Sequence, residues 1–155
     1  MAPSRRDQIT MTGDEVAAFV AEQRTLICAT NGPDGWPHLM PLWYVVRGED
    51  IWAWTYAASQ KVRNLERDDR ATLQVEAGDS YDQLRGVMIT ANTEIVRDPA
   101  VVAELGAALA QRYAGTPLEP AAREAIRGQA TRRVALRFLA QRVASWDHRK
   151  LAGAY

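Results

Sequence analysis

The segment 57–70 contains the residue types that suit an anion site. Ser59 is placed to cap a helix, and Lys61 follows two residues later. The first N–H groups of a helix have no partners within it, so together with a capping hydroxyl and a nearby cation they bind phosphate readily. The alternative interpretation is a solvated, charged helix, because acidic residues at 66, 68 and 69 offset the basic ones. The spacing alone leaves both interpretations open.

A second segment, 36–44, combines two prolines with aromatic residues and Met40. Proline cannot donate to a strand ladder, so a strand with Pro37 and Pro41 is bulged, locally unpaired or at a sheet edge. Its free carbonyl and N–H groups can bind the edge of a planar, hydrogen-bonding ring system. A kinked edge strand with ordinary core aromatics is the alternative. His38 is the candidate proton donor here, since histidine is the side chain that most often serves as a general acid or base.

Other routes to catalysis find little support in the sequence. It has no glycine-rich dinucleotide fingerprint and no phosphate-binding loop that ends in Lys-Ser/Thr. Its two histidines, His38 and His148, do not form a metal-ligand spacing, so we predict no metal site. Cys28 stands in an apolar run, which is typical of a buried, inert thiol. An enzyme with so few nucleophiles needs a bound cofactor to carry its chemistry.

The composition describes one globular domain of 155 residues. Lys+Arg and Asp+Glu both number 19, and this balance argues against a nucleic-acid partner. Its apolar runs are far shorter than the roughly 20 residues of a bilayer span. A secretory signal requires an apolar segment after its basic residues, and none follows the basic residues near the N-terminus. We therefore predict a cytoplasmic protein that binds neither nucleic acid nor membrane.

Periodicity and turn signals predict the elements that must position these residues. Thr12 and Glu15 form a capping box before a helix over 13–23, behind a flexible N-terminal arm over 1–11. Asp98 and Pro99 start a helical insertion over 98–128. Further helices are predicted over 57–69 and 120–127, and strands over 25–30, 36–46, 51–56, 71–75, 86–96, 133–138 and 140–146.

Short turns between consecutive strands imply antiparallel pairing. The predicted fold class is mainly β, a barrel or curled sheet with flanking helices, and not a doubly wound parallel sheet. Within the strand 51–56, the aromatic residues at 52, 54 and 56 share one face because strand side chains alternate.

Four motifs, in this order, resemble the flavin and deazaflavin oxidoreductases of the pyridoxamine-phosphate-oxidase-like split-barrel superfamily. They are HLMPLWY at 38–44, SxKxxNLxRDxR at 59–70, LRGVMI at 84–89 with the acidic Glu94 after it, and SWDxxK at 145–150. The resemblance covers roughly residues 12–150. The chain lacks the arginine-rich C-terminal substrate motif of pyridoxamine-phosphate oxidase itself, so it looks more like the actinobacterial branch that uses deazaflavin.

The resemblance implies an antiparallel split β-barrel that forms a homodimer, with two cofactor sites at the dimer interface. It implies a cofactor ring along the strand 38–43 and a phosphate near Ser59 and Lys61, while Trp146 reaches the partner's site. The predicted cofactor-binding residues are His38, Leu39, Met40, Pro41, Trp43, Trp54, Tyr56, Ser59, Lys61, Arg63, Asn64 and Trp146.

The leading functional hypothesis is an oxidoreductase dependent on the deazaflavin coenzyme F-420, which passes hydride to an unsaturated or heteroaromatic small molecule. FMN is the alternative cofactor, and a flavin-binding or carrier protein without turnover is the alternative function. The deazaflavin has a longer acidic tail, for which Arg63, Arg67 and Arg70 are candidate partners.

Overall fold

The structure is a computed structural model, and it describes residues 4–153. The strands are β1 (Leu26–Asn31), β2 (Pro37–Leu42), β3 (Val45–Arg47), β4 (Asp50–Tyr56), β5 (Arg70–Ala77), β6 (Arg85–Val96) and β7 (Arg133–Asp147). The helices are α1 (Arg5–Ile9), α2 (Gly13–Glu22), α3 (Gln60–Arg67), α4 (Pro99–Ala114) and α5 (Pro120–Ala130). Single 3₁₀ turns cover Tyr81–Gln83 and His148–Leu151.

The seven strands form one antiparallel sheet in the order β2-β1-β5-β6-β7-β4-β3. Strands β2 and β3 lie at opposite ends of this order, yet only Trp43 and Tyr44 separate them in the chain. The sheet must therefore curl until its two ends meet, and a single bent stretch of chain supplies both edges. This is the predicted mainly β class with flanking helices, arranged as a split barrel.

The helix starts predicted at residues 13, 99 and 120 are confirmed, whereas the helix predicted over 57–69 covers only Gln60–Arg67 and follows a turn. Thr12 Oγ1 accepts from the N–H of Glu15 at 3.2 Å, and the Glu15 carboxylate accepts from the N–H of Thr12 at 2.6 Å. Asp98 caps α4 through the N–H groups of Ala100 and Val101. The helix predicted to end at Gly128 continues to Ala130. Within the segment 1–11, predicted as a flexible arm, residues 5–9 form a helix and Met11 is buried.

Two strands predicted over 133–138 and 140–146 are one continuous strand, β7. It pairs with β6 along its whole length, and the register shifts between Thr90 and Ala91. Arg142 lies opposite Thr90 and Ala140 opposite Ala91, so Gln141 is the extra residue of a β-bulge. The bulge absorbs the break in alternation that suggested two strands.

Two apolar clusters lie on opposite faces of the sheet. The larger fills the barrel with the inward side chains of β1, β5, β6 and β7, and α2 closes it with Phe19 and Val20. The smaller joins the outward face of β4 to α4, where Trp52 and Trp54 pack against Val102, Leu105 and Leu109. The predicted shared face of the β4 aromatics is confirmed, and it is the outer face.

The bend at residues 43 and 44 is held by the end of α4. Tyr44 is fully buried, and its hydroxyl donates to the carbonyls of Val20 and Gln23. The Arg112 guanidinium donates to the carbonyls of Tyr44, Ala21 and Gln23. These bonds tie α2 and α4 to the junction between β2 and β3.

Candidate functional site

The barrel has an opening at the bend of residues 43 and 44, where the chain stops pairing with β1 and begins to pair with β4. The chain first pairs with β1 as β2, and after Trp43 and Tyr44 it pairs with β4 as β3, but only over Asp50–Trp52. The second half of β4 therefore has no strand on that side, and β2 has an open edge. We call this gap the split. Helix α3 spans it, since Lys61 bonds to Thr55 of β4 and Asn64 bonds to Thr30 of β1.

Lys61 points from α3 into the barrel. Its side chain is buried, and its ammonium donates to Thr55 Oγ1 at 2.9 Å. Burial lowers the pKa of Lys61, because the charged form loses its hydration. Within residues 4–153 this hydroxyl is its one hydrogen-bond partner. An ammonium has three donors, so Lys61 retains capacity for an anion.

Ser59 stands at the N-cap of α3, as predicted, but its hydroxyl does not cap the helix. Ser59 Oγ is buried, and it has no hydrogen-bond partner among the described residues. The N–H groups of Val62 and Arg63 bond to the Ser59 carbonyl, so the helix begins normally. An orphaned buried hydroxyl is costly unless a ligand or water satisfies it. Ser59, the first N–H groups of α3 and Lys61 together therefore fit a phosphate.

Asn64 is fully buried and already satisfied. Its Nδ2 donates to Thr30 Oγ1 at 3.0 Å, and its Oδ1 accepts from Gln60 at 2.8 Å and from Arg67 at 3.3 Å. These contacts anchor α3 to β1. The arrangement indicates that Asn64 positions the helix, while the predicted contact of this residue with a cofactor stays a prediction.

Strand β2 is an edge strand, which confirms one of the positions expected for its prolines. Residues 38, 40 and 42 face Thr30, Cys28 and Leu26 of β1. Prolines in an edge strand direct their nitrogen away from the ladder, so Pro37 and Pro41 address the open edge. Leu39 has the same parity, and its N–H and carbonyl therefore lie on that edge between two residues without a donor.

His38 and Met40 lie on the barrel side of β2, in register with Thr30 and Cys28. His38 Nδ1 is buried, and no partner for it is found in the part of the chain that the structure describes. Two orphaned polar atoms, on His38 and Ser59, thus lie on the elements that border the split. Cys28 beneath them is buried, and burial raises the pKa of its thiol to about 12, so the predicted inert thiol is supported.

Three predicted site residues lie apart from this group. Trp54 and Tyr56 project from the outer face of β4, opposite to Thr55, with the Arg133 guanidinium 4.4 Å and 4.2 Å from their ring centroids. Trp146 packs on Gly86. Gly86 pairs with Glu76, five positions along β5 from Ala71 beside Thr30, a distance of about 17 Å. The register therefore places Trp146 well along the sheet from Thr30.

The arginines proposed for an acidic tail differ in their freedom. Arg67 donates to the Asn31 carbonyl at 2.6 Å, and Arg70 forms a bidentate pair with Asp68 at 2.8 and 2.7 Å. That pair lowers the pKa of Asp68. Arg63 is exposed, and it has no polar side-chain partner within the described residues. Of the three, Arg63 alone keeps its guanidinium available.

Sequence reasoning missed several residues of this region. Thr55 could have been found, since it is a hydroxyl on the inward face between two outward aromatics of β4. Thr30, the penultimate residue of β1, is likewise a hydroxyl on the buried face of its strand. Arg112 and Tyr113 gave no signal, because their contacts with residues 21–24 and 43–44 join segments far apart in the chain.

Comparison with known proteins now places this fold. The family described as pyridoxamine 5'-phosphate oxidase matches residues 12–147. The crystal structure of the conserved hypothetical protein Rv2991 from Mycobacterium tuberculosis is 42% identical, with a TM-score of 0.88, over 97% of this chain and 93% of that one. No functionally curated protein matches the sequence.

Two more distant structures share the fold. One is described as an F420 reductase, at 23% identity and a TM-score of 0.66 over 86% of this chain and 97% of that one. The other is described as an FAD-binding protein from Mesorhizobium loti, at 19% identity and a TM-score of 0.66 over 88% and 94%.

The chain therefore belongs to the pyridoxamine 5'-phosphate oxidase family, within the split-barrel superfamily. Membership of this oxidase family supports an oxidoreductase role. In residues 4–153, the structure has no helix that is both long and apolar enough to cross a membrane.

Proposed function

We propose that this chain is an oxidoreductase that uses the deazaflavin coenzyme F-420 to transfer hydride to an unsaturated or heteroaromatic small molecule. The observation that carries the proposal is the buried, unsatisfied Ser59 hydroxyl at the start of α3, beside the N–H groups of that helix and on the same element as the buried Lys61. A family of flavin-type oxidoreductases needs a phosphate cradle, and this is the group of residues that fits one.

In this proposal, Ser59 donates its hydroxyl hydrogen bond to a phosphate oxygen, and Lys61 supplies the positive charge. Thr55 orients the Lys61 ammonium from below through its hydroxyl. Asn64 holds α3 against β1, so the cradle is fixed before the cofactor binds. A charge-assisted hydrogen bond of this kind contributes about 1.5–3 kcal/mol.

The ring is proposed to lie along β2, whose open edge offers the N–H of Leu39 and the carbonyls around it. The missing donors of Pro37 and Pro41 make this edge rich in acceptors, which suits a ring edge that carries its own N–H groups. When bound in its reduced form, the coenzyme supplies hydride to an electrophilic carbon of the substrate, whose neighbouring atom takes up a proton. His38 is the candidate to hold that proton, at its unpaired Nδ1.

The choice of F-420 draws support from one structure with this fold, which is described as an F420 reductase. One observation favours FMN as the second candidate. Arg67 and Arg70 are engaged within the chain, which leaves Arg63 to meet the longer acidic tail of the deazaflavin.

We also propose that two copies form a homodimer through the outer face of β1, β5 and β6. The outward side chains there are exposed or half-buried, and several are small or apolar, including Ala29, Thr72, Thr90 and Met88. The face includes a shallow hollow of about 580 Å³. A second copy is also what would bring Trp146 to the site of its partner. The proposed location is the cytoplasm, as the composition predicts.

Paired titrations test the cofactor assignment. The purified protein is titrated with FMN and with oxidised F-420, and quenching of ligand fluorescence is followed. Tight binding of F-420 with weak binding of FMN supports the proposal, and the reverse moves the protein to FMN. No binding of either overturns the cradle at Ser59 and Lys61. Sedimentation velocity on the same sample tests the homodimer, which a monomeric species at micromolar concentration would exclude.

A further inference from the structure

An aromatic cleft without charged lining residues lies next to the bend at residues 43 and 44, where the ladder between β3 and β4 ends. Its lining residues are Thr25, Pro41, Leu42, Trp43 and Trp54, and its volume is about 410 Å³. The β3–β4 register, in which Val45 faces Trp52, places Trp43 opposite Trp54 once the ladder has ended. Two indoles from diverging strands therefore wall one small-molecule-sized cavity.

Both walls are held from behind. The Trp43 indole stacks on Tyr113, with ring centroids 4.1 Å apart and planes at 6°. Tyr113 is itself fixed, since its hydroxyl donates to the Arg24 carbonyl and the Arg24 guanidinium lies 4.6 Å from its ring centroid. Trp54 packs against Gly106 of α4. One face of Trp43 is thus covered, while 57% of the residue stays exposed.

The chemistry of the lining selects the occupant. None of the five lining residues is ionisable, so a charged ligand would lose hydration there without a counter-ion in the lining itself. The guanidinium groups of Arg24 and Arg133 are engaged on the rings of Tyr113 and Trp54. A flat ring can stack on an indole whose orientation is already set, which gains attraction at little entropic cost. Pro41 and Leu42 form part of the lining and also end β2, the strand proposed to hold the cofactor ring.

We propose that this cleft binds an uncharged, planar aromatic compound stacked on the free face of Trp43. The proposal rests on the proposed function in one respect, namely that this compound is the hydride acceptor. Trp43 would then contact the hydride acceptor, in addition to its predicted place beside the cofactor ring at the end of β2. Trp54 forms the opposite wall.

Three test compounds of similar size separate shape from charge: 2-naphthol, which is planar and neutral, 2-naphthoate, which is planar and anionic, and 2-decalol, which is neutral and not planar. Binding to the full-length protein is measured by isothermal titration calorimetry. We expect 2-naphthol to bind and the other two to bind at least about tenfold more weakly. Equal binding of all three would overturn the proposal.

Variants locate the binding. Trp43→Ala is expected to weaken 2-naphthol binding about tenfold, and Trp43→Phe to restore most of it. Trp36→Ala is the matched control, because Trp36 is 76% exposed in the β1–β2 turn and outside the cleft. An unchanged affinity of Trp43→Ala overturns the proposal. The proposal is also overturned if the wild type does not bind 2-naphthol and Trp43→Ala changes the oligomeric state, since the cleft is then covered by a second copy.

The cofactor titrations separate this proposal from the proposed function. If neither FMN nor F-420 binds while 2-naphthol binds and requires Trp43, the oxidoreductase assignment fails and the aromatic cleft stands. If a cofactor binds equally well to the wild type and to Trp43→Ala, and Trp43→Ala also binds 2-naphthol as tightly as the wild type does, the cleft fails. The oxidoreductase assignment then stands.

Discussion

The ammonium of Lys61 lies 2.9 Å from the hydroxyl of Thr55, so the split is bridged by a hydrogen bond from a buried cation. A neutral hydroxyl compensates poorly for the lost hydration of a charge, and the lowered pKa of Lys61 has the same cause. The buried charge of Lys61 therefore destabilises the fold without a ligand, and an anionic ligand can offset this loss of stability.

We expect Lys61→Met to weaken cofactor binding about 10- to 100-fold, because one charge-assisted hydrogen bond to phosphate is lost. The free energy of unfolding without ligand is expected to stay equal or rise, since a buried charge is replaced by an apolar chain of similar length. Fluorescence titration and urea denaturation measure the two effects. Lys150→Met is the control, because Lys150 bonds to Thr10 and Glu15 outside the site. Equal cofactor affinity in both variants would contradict the proposed cradle.

The buried thiol of Cys28 makes a prediction about alkaline pH. Its pKa is raised from 9.0 to about 12 by burial, while the neighbouring Lys61 charge opposes the shift. Because the pKa is higher in the folded state, the thiol of the unfolded chain loses its proton at a lower pH than the thiol of the folded chain does. The stabilisation is therefore complete below pH 9 and is lost as pH rises toward 12. A difference of this size between the pKa values of the folded and unfolded states predicts a loss on the order of 1 kcal/mol by pH 10.

Comparison with Cys28→Ala isolates that contribution. The variant is expected to be less stable at pH 7, because a buried side chain is truncated, but to lose less stability between pH 8 and pH 10. Urea denaturation at several pH values provides the slopes. In the folded wild type, the thiol should also resist a disulfide reagent at pH 8 until urea is added. Identical slopes, or rapid labelling without urea, would refute this account.

Arg112 fastens the bend between β2 and β3. It donates to three backbone carbonyls, those of Ala21, Gln23 and Tyr44, which would otherwise lack a charged donor. We expect Arg112→Leu to lower the free energy of unfolding by about 2–3 kcal/mol. Arg123→Leu on the exposed side of α5 is the control, with a change within about 0.5 kcal/mol. Similar denaturation midpoints for the two variants would show that the bend does not depend on Arg112.

Gly106 and Gly128 form a matched pair on the two outer helices. A Cβ at position 106 would lie 2.4 Å from Trp54 Cζ3, whereas a Cβ at position 128 meets no atom within 4 Å. Gly106→Ala should therefore cost about 1–3 kcal/mol through overpacking, and Gly128→Ala should gain about 0.5–1 kcal/mol through helix propensity. Thermal denaturation checks the signs. Near-ultraviolet circular dichroism should change in the first variant alone, as Trp54 is displaced.

Much of this fold could be predicted from local signals. Capping residues such as Thr12 and Asp98, and turn residues such as Gly35, act within a few positions of themselves, so sequence spacing reveals them. Alternation placed the β4 aromatics on one face, but it could not say which face is the inner one, because both faces of β4 are covered. Choosing the face needed the position of α4.

The candidate site was only partly predictable for a related reason. Ser59 and Lys61 are close in sequence and signalled an anion site, whereas the burial of Lys61 depends on Thr55 and on the barrel around it. The grouping of Trp43 with Tyr113 depends on where a long helix ends. No local pattern encodes that distance.

The spacing of Pro37 and Pro41 has a consequence for the behaviour of the protein at high concentration. An exposed strand edge invites a strand from another molecule, and that addition can continue into aggregates. Along β2 the outward positions are 37, 39 and 41, and two of these three are prolines. A foreign strand would find a single N–H, that of Leu39, and could not build a ladder on it. The same residues that leave this edge open for a small planar ring thereby close it to another polypeptide.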